Sequence, residues 1–251
     1  MTTTESAQAF AAAIEQCARE PIQAPGSIQP HGFMLVLDPA THTVLQASAN
    51  TQEWLGLDPE AVVGQPLSNL VEAPKVLALR LATLPPADPH PFHVMDLTFR
   101  GHVDQQPYAM LAHHWDSVLI AEFEPASDVA AAYGQLYPLV RAFVAELQDI
   151  QTVERLCERV VGEVKRITGF GRVKAYRFDA EGNGVVLAED ADEGYPHYLG
   201  MYFPASDIPP QARALYCANR IRVIQNATYQ AVALWPECLS LIHISEPTRP
   251  Y

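Results

Sequence analysis

Cysteine is scarce in this chain of 251 residues: Cys17, Cys157, Cys217 and Cys238 are the four, and no two form a C-x-x-C pair or stand at zinc-ligand spacing. That pattern points away from a disulfide framework and from a zinc site. Basic residues are outnumbered, with 16 Lys and Arg against 29 Asp and Glu, for a formal charge of -13. Such a balance repels phosphate backbones and anionic lipid, so neither nucleic acid nor membrane is an expected partner. The opening MTTTESAQAFAAAIEQ has no basic n-region, and Glu5 and Glu15 bracket an apolar run too short for a secretory core or a membrane span. A cytoplasmic protein is expected. Internal repeats and low-complexity tracts are also lacking. What the chain does have is a 49% hydrophobic content, sufficient for packed cores in one large domain or two of common size.

After residues 1–16, Pro21, Pro25, Gly26 and Pro30 make EPIQAPGSIQPHG an extended, non-helical segment. FMLVLD (Phe33 to Asp38) reads as a buried strand, DPATH as a turn and TVLQAS (Thr43 to Ser48) as the hairpin partner. Helical segments are expected around Asn50 to Leu55 and Ala73 to Leu84. Three strands follow, PFHVMDLTF, QPYAMLAHHW and SVLIAEFEP. Two strands, helices and three antiparallel strands is the order of a PAS domain, although other α+β folds share it. From Ser127 the composition shifts to Ala and Leu, and Val153, Leu156, Val160, Val164 and Ile167 recur at helical spacing, with Gly169 placed as terminator. Pro138 predicts a start or kink within Ala130 to Leu147. GRVKAYRF and GVVLAED flank a DAEGNG turn, and QARALYCANR (Gln211 to Arg220) reads as a helix.

Pro204-Ala-Ser-Asp-Ile-Pro209 lies between the aromatic stretch Tyr195 to Phe203 and the helix bearing Tyr216. Taken alone it is a Pro-bounded loop with Asp207 capping the next helix. The neighbours add a second reading: Tyr176, Tyr198, Tyr202, Phe203 and Tyr216 supply flat apolar walls, and Asp207 and Arg222 supply polar groups, as a large conjugated ligand requires. Adjacent His113 and His114 on a strand point to opposite faces and do not make a shared metal site.

PASDIP, preceded by LGMYF and followed by PQARALY, resembles the GAF signature of phytochromes. EQCAREPIQAPGSIQPHG resembles the N-terminal extension of the bacteriophytochromes, and ITGFGRVKAYRF also fits the family. The resemblance covers about residues 10 to 236. It implies an α+β chain: an N-terminal extension over 1–20, a PAS domain over 21–126 and an incomplete GAF domain over 127–237, each an antiparallel sheet with helices. It further implies a red/far-red photoreceptor module without a catalytic domain. Its cofactor would be biliverdin, a linear tetrapyrrole, with Cys17 as the covalent attachment residue. Tyr176, Phe203, Ser206, Asp207, Ile208, Pro209 and Tyr216 would line the pocket. Arg222 would grip a propionate, and Ile28 would be threaded through a GAF loop in the phytochrome knot. A homodimer and downstream PHY and histidine kinase domains are the partners it implies.

After ATYQAVALWPE the resemblance ceases, and CLSLIHISEPTRPY (238–251) reads as a foreign tail. Two other readings compete. One is a PAS-GAF interaction module that dimerises without bilin. The other is an enzyme with Cys17 as nucleophile and His31 as base, which lacks an orienting acid in the sequence.

Overall fold

The computed structural model describes residues 25–85, 90–101, 106–127, 129–148, 150–218 and 221–237. These form two compact units, one over 25–127 together with 221–237, the other over 129–218.

The first unit is a seven-stranded antiparallel sheet in the order β1-β10-β3-β2-β6-β5-β4. Its strands are β1 (Ser27–Ile28), β2 (Phe33–Leu37), β3 (Val44–Ser48), β4 (Phe92–Leu97), β5 (Tyr108–Trp115), β6 (Val118–Pro125) and β10 (Val232–Trp235). Between β3 and β4 run four short helices, α1 (Thr51–Leu55), α2 (Pro59–Val62), α3 (Leu67–Leu70) and α4 (Pro74–Leu81). Strand alternation explains the core: Met110 and Ala112 on β5 and Ala121 and Phe123 on β6 are all fully buried, as every second residue of a half-buried strand must be. Phe33, Phe99, Tyr108 and Phe123 fill its centre. Phe33 stacks on Phe123 at 4.8 Å between centroids, while Tyr108 meets Phe33 edge-on at 5.4 Å, both favourable ring geometries. The Tyr108 hydroxyl donates to the Trp54 carbonyl at 3.0 Å, so its polar end is satisfied inside this core.

Residues 221–237, grouped by the sequence with the second domain, cluster with the first unit, and β10 within them completes its sheet. Leu234 and Trp235 pair with Ser48 and Ala47 of β3, and Val232 and Ala233 pair with Ile28 and Ser27 of β1. Ile28 is thus bonded through its backbone to the later segment. Gln29 reinforces the contact, its Nε2 donating to Val223 O at 2.6 Å and its Oε1 accepting from Gln225 N at 3.3 Å. The physical cause is edge satisfaction: β3 has unpaired backbone groups on its outer side until β10 covers them.

In the second unit, α5 (Val129–Leu147) and α6 (Val153–Thr168) precede a three-stranded antiparallel sheet, β7 (Arg172–Phe178), β8 (Gly184–Ala191) and β9 (Tyr202–Phe203), and α7 (Pro210–Ala218) follows it. Of the start or kink expected at Pro138, the start is absent, since one helix runs from Val129 through the proline to Leu147. The proline removes a single N–H, and Leu136, Tyr137 and Val140 around it are exposed, so water can meet the freed carbonyl. α6 has the ends its sequence dictates. Thr152 accepts from Arg155 N, and Gly169, at φ 69°, closes the helix in the left-handed region. Among the described residues no helix is long and apolar enough to cross a membrane.

Candidate functional site

The site grows from the β7–β8 hairpin. Lys174, Tyr176 and Phe178 alternate along β7 and therefore share one face. Tyr176 can lie across β8 because residue 184 is glycine: a Cβ there would collide with the Cζ, Oη and Cε1 atoms of the Tyr176 ring. The ring meets Phe178 edge-on at 5.1 Å and Phe203 at 6.0 Å, and Phe203 meets Tyr198 at 5.8 Å. Gly184 also pairs with Phe203, which brings β9 and the start of the Pro-bounded loop beside Tyr176.

That loop is held by its backbone. Asp207 N donates to Pro204 O at 3.0 Å, and Ala205 N donates to Asn183 Oδ1 at 3.1 Å. The Arg213 guanidinium on α7 donates to the carbonyls of Ala205 at 3.2 Å and Ile208 at 2.5 Å, tying the loop to the helix that follows it. α7 starts at Pro210, so the capping position falls on Pro209 and the capping role open to Asp207 in the sequence is not the one it takes.

A second loop, 192–201, is clamped to the hairpin. Glu189, whose side chain is 2% exposed, accepts from Tyr198 N at 2.8 Å through Oε2. Hydrogen bonds from the backbone of Tyr198, then of Leu199, hold its carboxyl below the ordinary carboxylate range, and Arg172 adds to this. The Arg172 guanidinium lies 4.7 Å from the ring centroids of both Tyr195 and Tyr198, and Lys174 Nζ lies 4.5 Å from that of Tyr198.

Together these elements enclose a cleft of about 460 Å³ lined by Lys174, Tyr176, Phe178, Phe203, Asp207, Ile208 and Tyr216. Its volume falls within the roughly 300–1,000 Å³ of small-molecule sites. Burial raises the Tyr176 phenol above its ordinary value, with the Asp207 and then the Asp179 carboxylates adding to the effect, so it is a neutral hydroxyl at physiological pH. Chemically the cleft offers four aromatic side chains, one aliphatic wall, one carboxylate and one ammonium. This donor set suits a flat conjugated molecule bearing both N–H groups and carboxylates.

Five residues picked out in the sequence, Tyr176, Phe203, Asp207, Ile208 and Tyr216, line this one cleft. Ser206 and Pro209 belong to the same loop without lining it. Arg222 is in the segment that goes with the first unit, and Cys17 lies outside the described residues. Tyr202 is 74% exposed, as its alternation with Phe203 requires. His31 is engaged elsewhere, with Nε2 3.0 Å from Glu124 Oε1. Among the described residues no group of three or more His, Cys, Asp or Glu is placed to hold a metal ion. Lys174, Phe178 and Arg213 were not singled out in the sequence. Period-two alternation from Tyr176 is the signal that reaches the first two.

One unit is an antiparallel sheet of PAS order and the other carries an aromatic cleft with one carboxylate, which defines a class of protein able to hold a small ligand. Known proteins narrow this. Residues 17–126 match the PAS fold family. The chain is 40% identical over 228 residues to cyanobacterial phytochrome B of Nostoc sp., covering 90% of this chain and 30% of that protein. It is 34% identical over 229 residues to the bacteriophytochrome of Xanthomonas campestris pv. campestris, covering 89% and 34%. The crystal structure of the chromophore-binding domain of a Stigmatella aurantiaca bacteriophytochrome matches with a TM-score of 0.78 and 40% identity, covering 87% of this chain and 72% of that one. The chain belongs to the phytochrome family, as a PAS-GAF segment of bacteriophytochrome type. It spans about a third of the length of the curated relatives it matches.

Proposed function

We propose that this chain is the light-sensing segment of a red/far-red receptor and that it binds biliverdin covalently through Cys17. The observation that carries the reading is the convergence of Tyr176, Phe203, Asp207, Ile208 and Tyr216 on one cleft. They come from two strands, a loop and a helix, and no local sequence feature requires them to meet.

When bound, biliverdin supplies the photochemistry, and the chain holds it and responds to it. Tyr176, Phe203 and Tyr216 restrain a conjugated plate by packing on its faces and edges. Asp207 offers an acceptor to pyrrole N–H groups through its backbone carbonyl or its carboxylate, which avoids burying them unpaired. Arg213 keeps the Asp207 loop in register with α7, so displacement of the loop moves a helix. Arg222 is assigned to a propionate by residue type. Cytoplasmic location, homodimerisation and output through PHY and histidine kinase domains complete the proposal. Leu136, Val140 and Val144 form an exposed apolar row along α5 at i, i+4 and i+8, which favours self-association through that helix.

Incubation with biliverdin, followed by zinc-induced fluorescence in a denaturing gel, tests the attachment. A fluorescent band is expected in the full-length gene product and its loss in the Cys17→Ser variant of that product. Undiminished covalent pigment in Cys17→Ser would remove Cys17 from the proposal.

A further inference from the structure

Only two of the side chains lining the cleft carry charge, Asp207 and Lys174. Lys174 projects from β7 on the same face as Tyr176 and Phe178. Its ammonium rests 4.5 Å from the centroid of the Tyr198 ring. Among the described residues no carboxylate lies within ion-pair distance of it. Lys165 differs, with Nζ 2.7 Å from Asp192 Oδ1 and 3.4 Å from Asp190 Oδ1. The two environments have different electrical consequences. A carboxylate partner cancels most of a lysine's field at a distance, whereas an aromatic face attracts the ammonium without neutralising it. Tyr198 is itself fixed, by the Glu189 bond to its N–H and by Arg172 on its ring. The positive charge is therefore held at the cleft wall.

We propose that Lys174 contacts the bound bilin and, as a fixed positive charge, favours the bilin's neutral form over its protonated cation. This rests on the biliverdin reading given above. The equilibrium concerned is loss of one proton from the ring nitrogens to solvent, which leaves the pigment one charge less positive. A like charge a few ångströms from a cation disfavours it and lowers its pKa. An ammonium in a cleft open to water is partly screened, so the expected displacement is about one pKa unit, a tenfold change in the proton equilibrium.

The experiment uses the full-length gene product loaded with biliverdin, with the red absorbance band titrated against pH. Lys174→Met is expected to raise the midpoint of band loss by about one unit, and Lys174→Arg, which keeps the charge, to leave it near the parent value. A second readout needs no titration. The lysines of this chain are Lys75, Lys165 and Lys174, and an amine-reactive label read by mass spectrometry should lose Lys174 when biliverdin is added while Lys75 and Lys165 label as before. An unmoved midpoint in Lys174→Met, or undiminished labelling of Lys174 in pigment-loaded protein, overturns the proposal. Weaker biliverdin binding by Lys174→Met with an unmoved midpoint also overturns it and assigns the lysine to a carboxylate of the ligand. Absence of a red band in the parent protein refutes the biliverdin reading itself and this inference with it.

Discussion

Replacing Gly184 by alanine isolates the contact that places Tyr176 in the cleft. Gly184 has no positive φ, so the backbone accepts alanine, and in a strand that change alone gains about 0.5–1 kcal/mol by removing glycine's freedom in the unfolded chain. Against it stands the collision of the new Cβ with three atoms of the Tyr176 ring. Overpacking of this kind costs about 1–3 kcal/mol. The ring is confined by Phe178 at 5.1 Å and Phe203 at 6.0 Å, so it cannot turn aside freely. The net expectation is a loss of about 0.5–2 kcal/mol in the parent background. In a Tyr176→Ala background the same substitution meets no ring and should stabilise by about 0.5–1 kcal/mol. The two positions should therefore couple by about the overpacking cost. Tryptophan emission does not report this, because Trp54, Trp115 and Trp235 all belong to the first unit. Hydrogen exchange of peptides spanning β7 and β8, read by mass spectrometry, is the suitable assay. Equal effects of Gly184→Ala in the two backgrounds would refute the packing argument.

Glu122 on β6 is held above the ordinary carboxylate range by burial first, with Glu124 adding and His31 opposing. A raised folded-state value means the folded protein holds that proton more tightly. The stabilisation from it is full below the unfolded carboxylate value of about 4.3 and is lost as pH rises through the folded value. Glu122→Gln should accordingly raise the melting temperature at neutral pH and lose that gain near about pH 4. Tryptophan-detected melts at the two pH values check this, and an unchanged or lower neutral-pH melting temperature counts against it. Phe123→Ala removes a ring that touches both Phe33 and Phe99 and should cost about 3–5 kcal/mol in urea denaturation; under about 1 kcal/mol would mean the cluster is not the core's centre. Asp207→Ala should leave biliverdin attachment intact but reduce red/far-red cycling in difference spectra. Normal cycling would reduce Asp207 to a scaffold residue.

Strands were legible where a short apolar run is bounded by turn residues: FMLVLD and GVVLAED appear within a residue or so of β2 and β8. The end of α6 was legible because Gly169 acts through local backbone chemistry, whereas Thr152, which caps its start, was not singled out in the sequence. Four-residue α2 and α3 are too short to establish a helical period, and two-residue β1 and β9 too short for alternation. β10 was missed for another reason. VALW has strand character, but its partners in β1 and β3 are nearly two hundred residues earlier in the chain, and pairing at that separation leaves no local mark. At the site, the loop residues were legible through the motif, whereas the glycine that admits Tyr176 and the arginine that ties the loop to α7 become visible only once the hairpin is folded.

The central claim is tested most directly by the absorbance of the full-length gene product after incubation with biliverdin, recorded before and after red and far-red light. A red band that photoconverts reversibly, from pigment whose covalent attachment is lost in Cys17→Ser, is the result predicted. A protein that folds, leaves added biliverdin in its free-solution spectrum and shows no light-dependent change would contradict it.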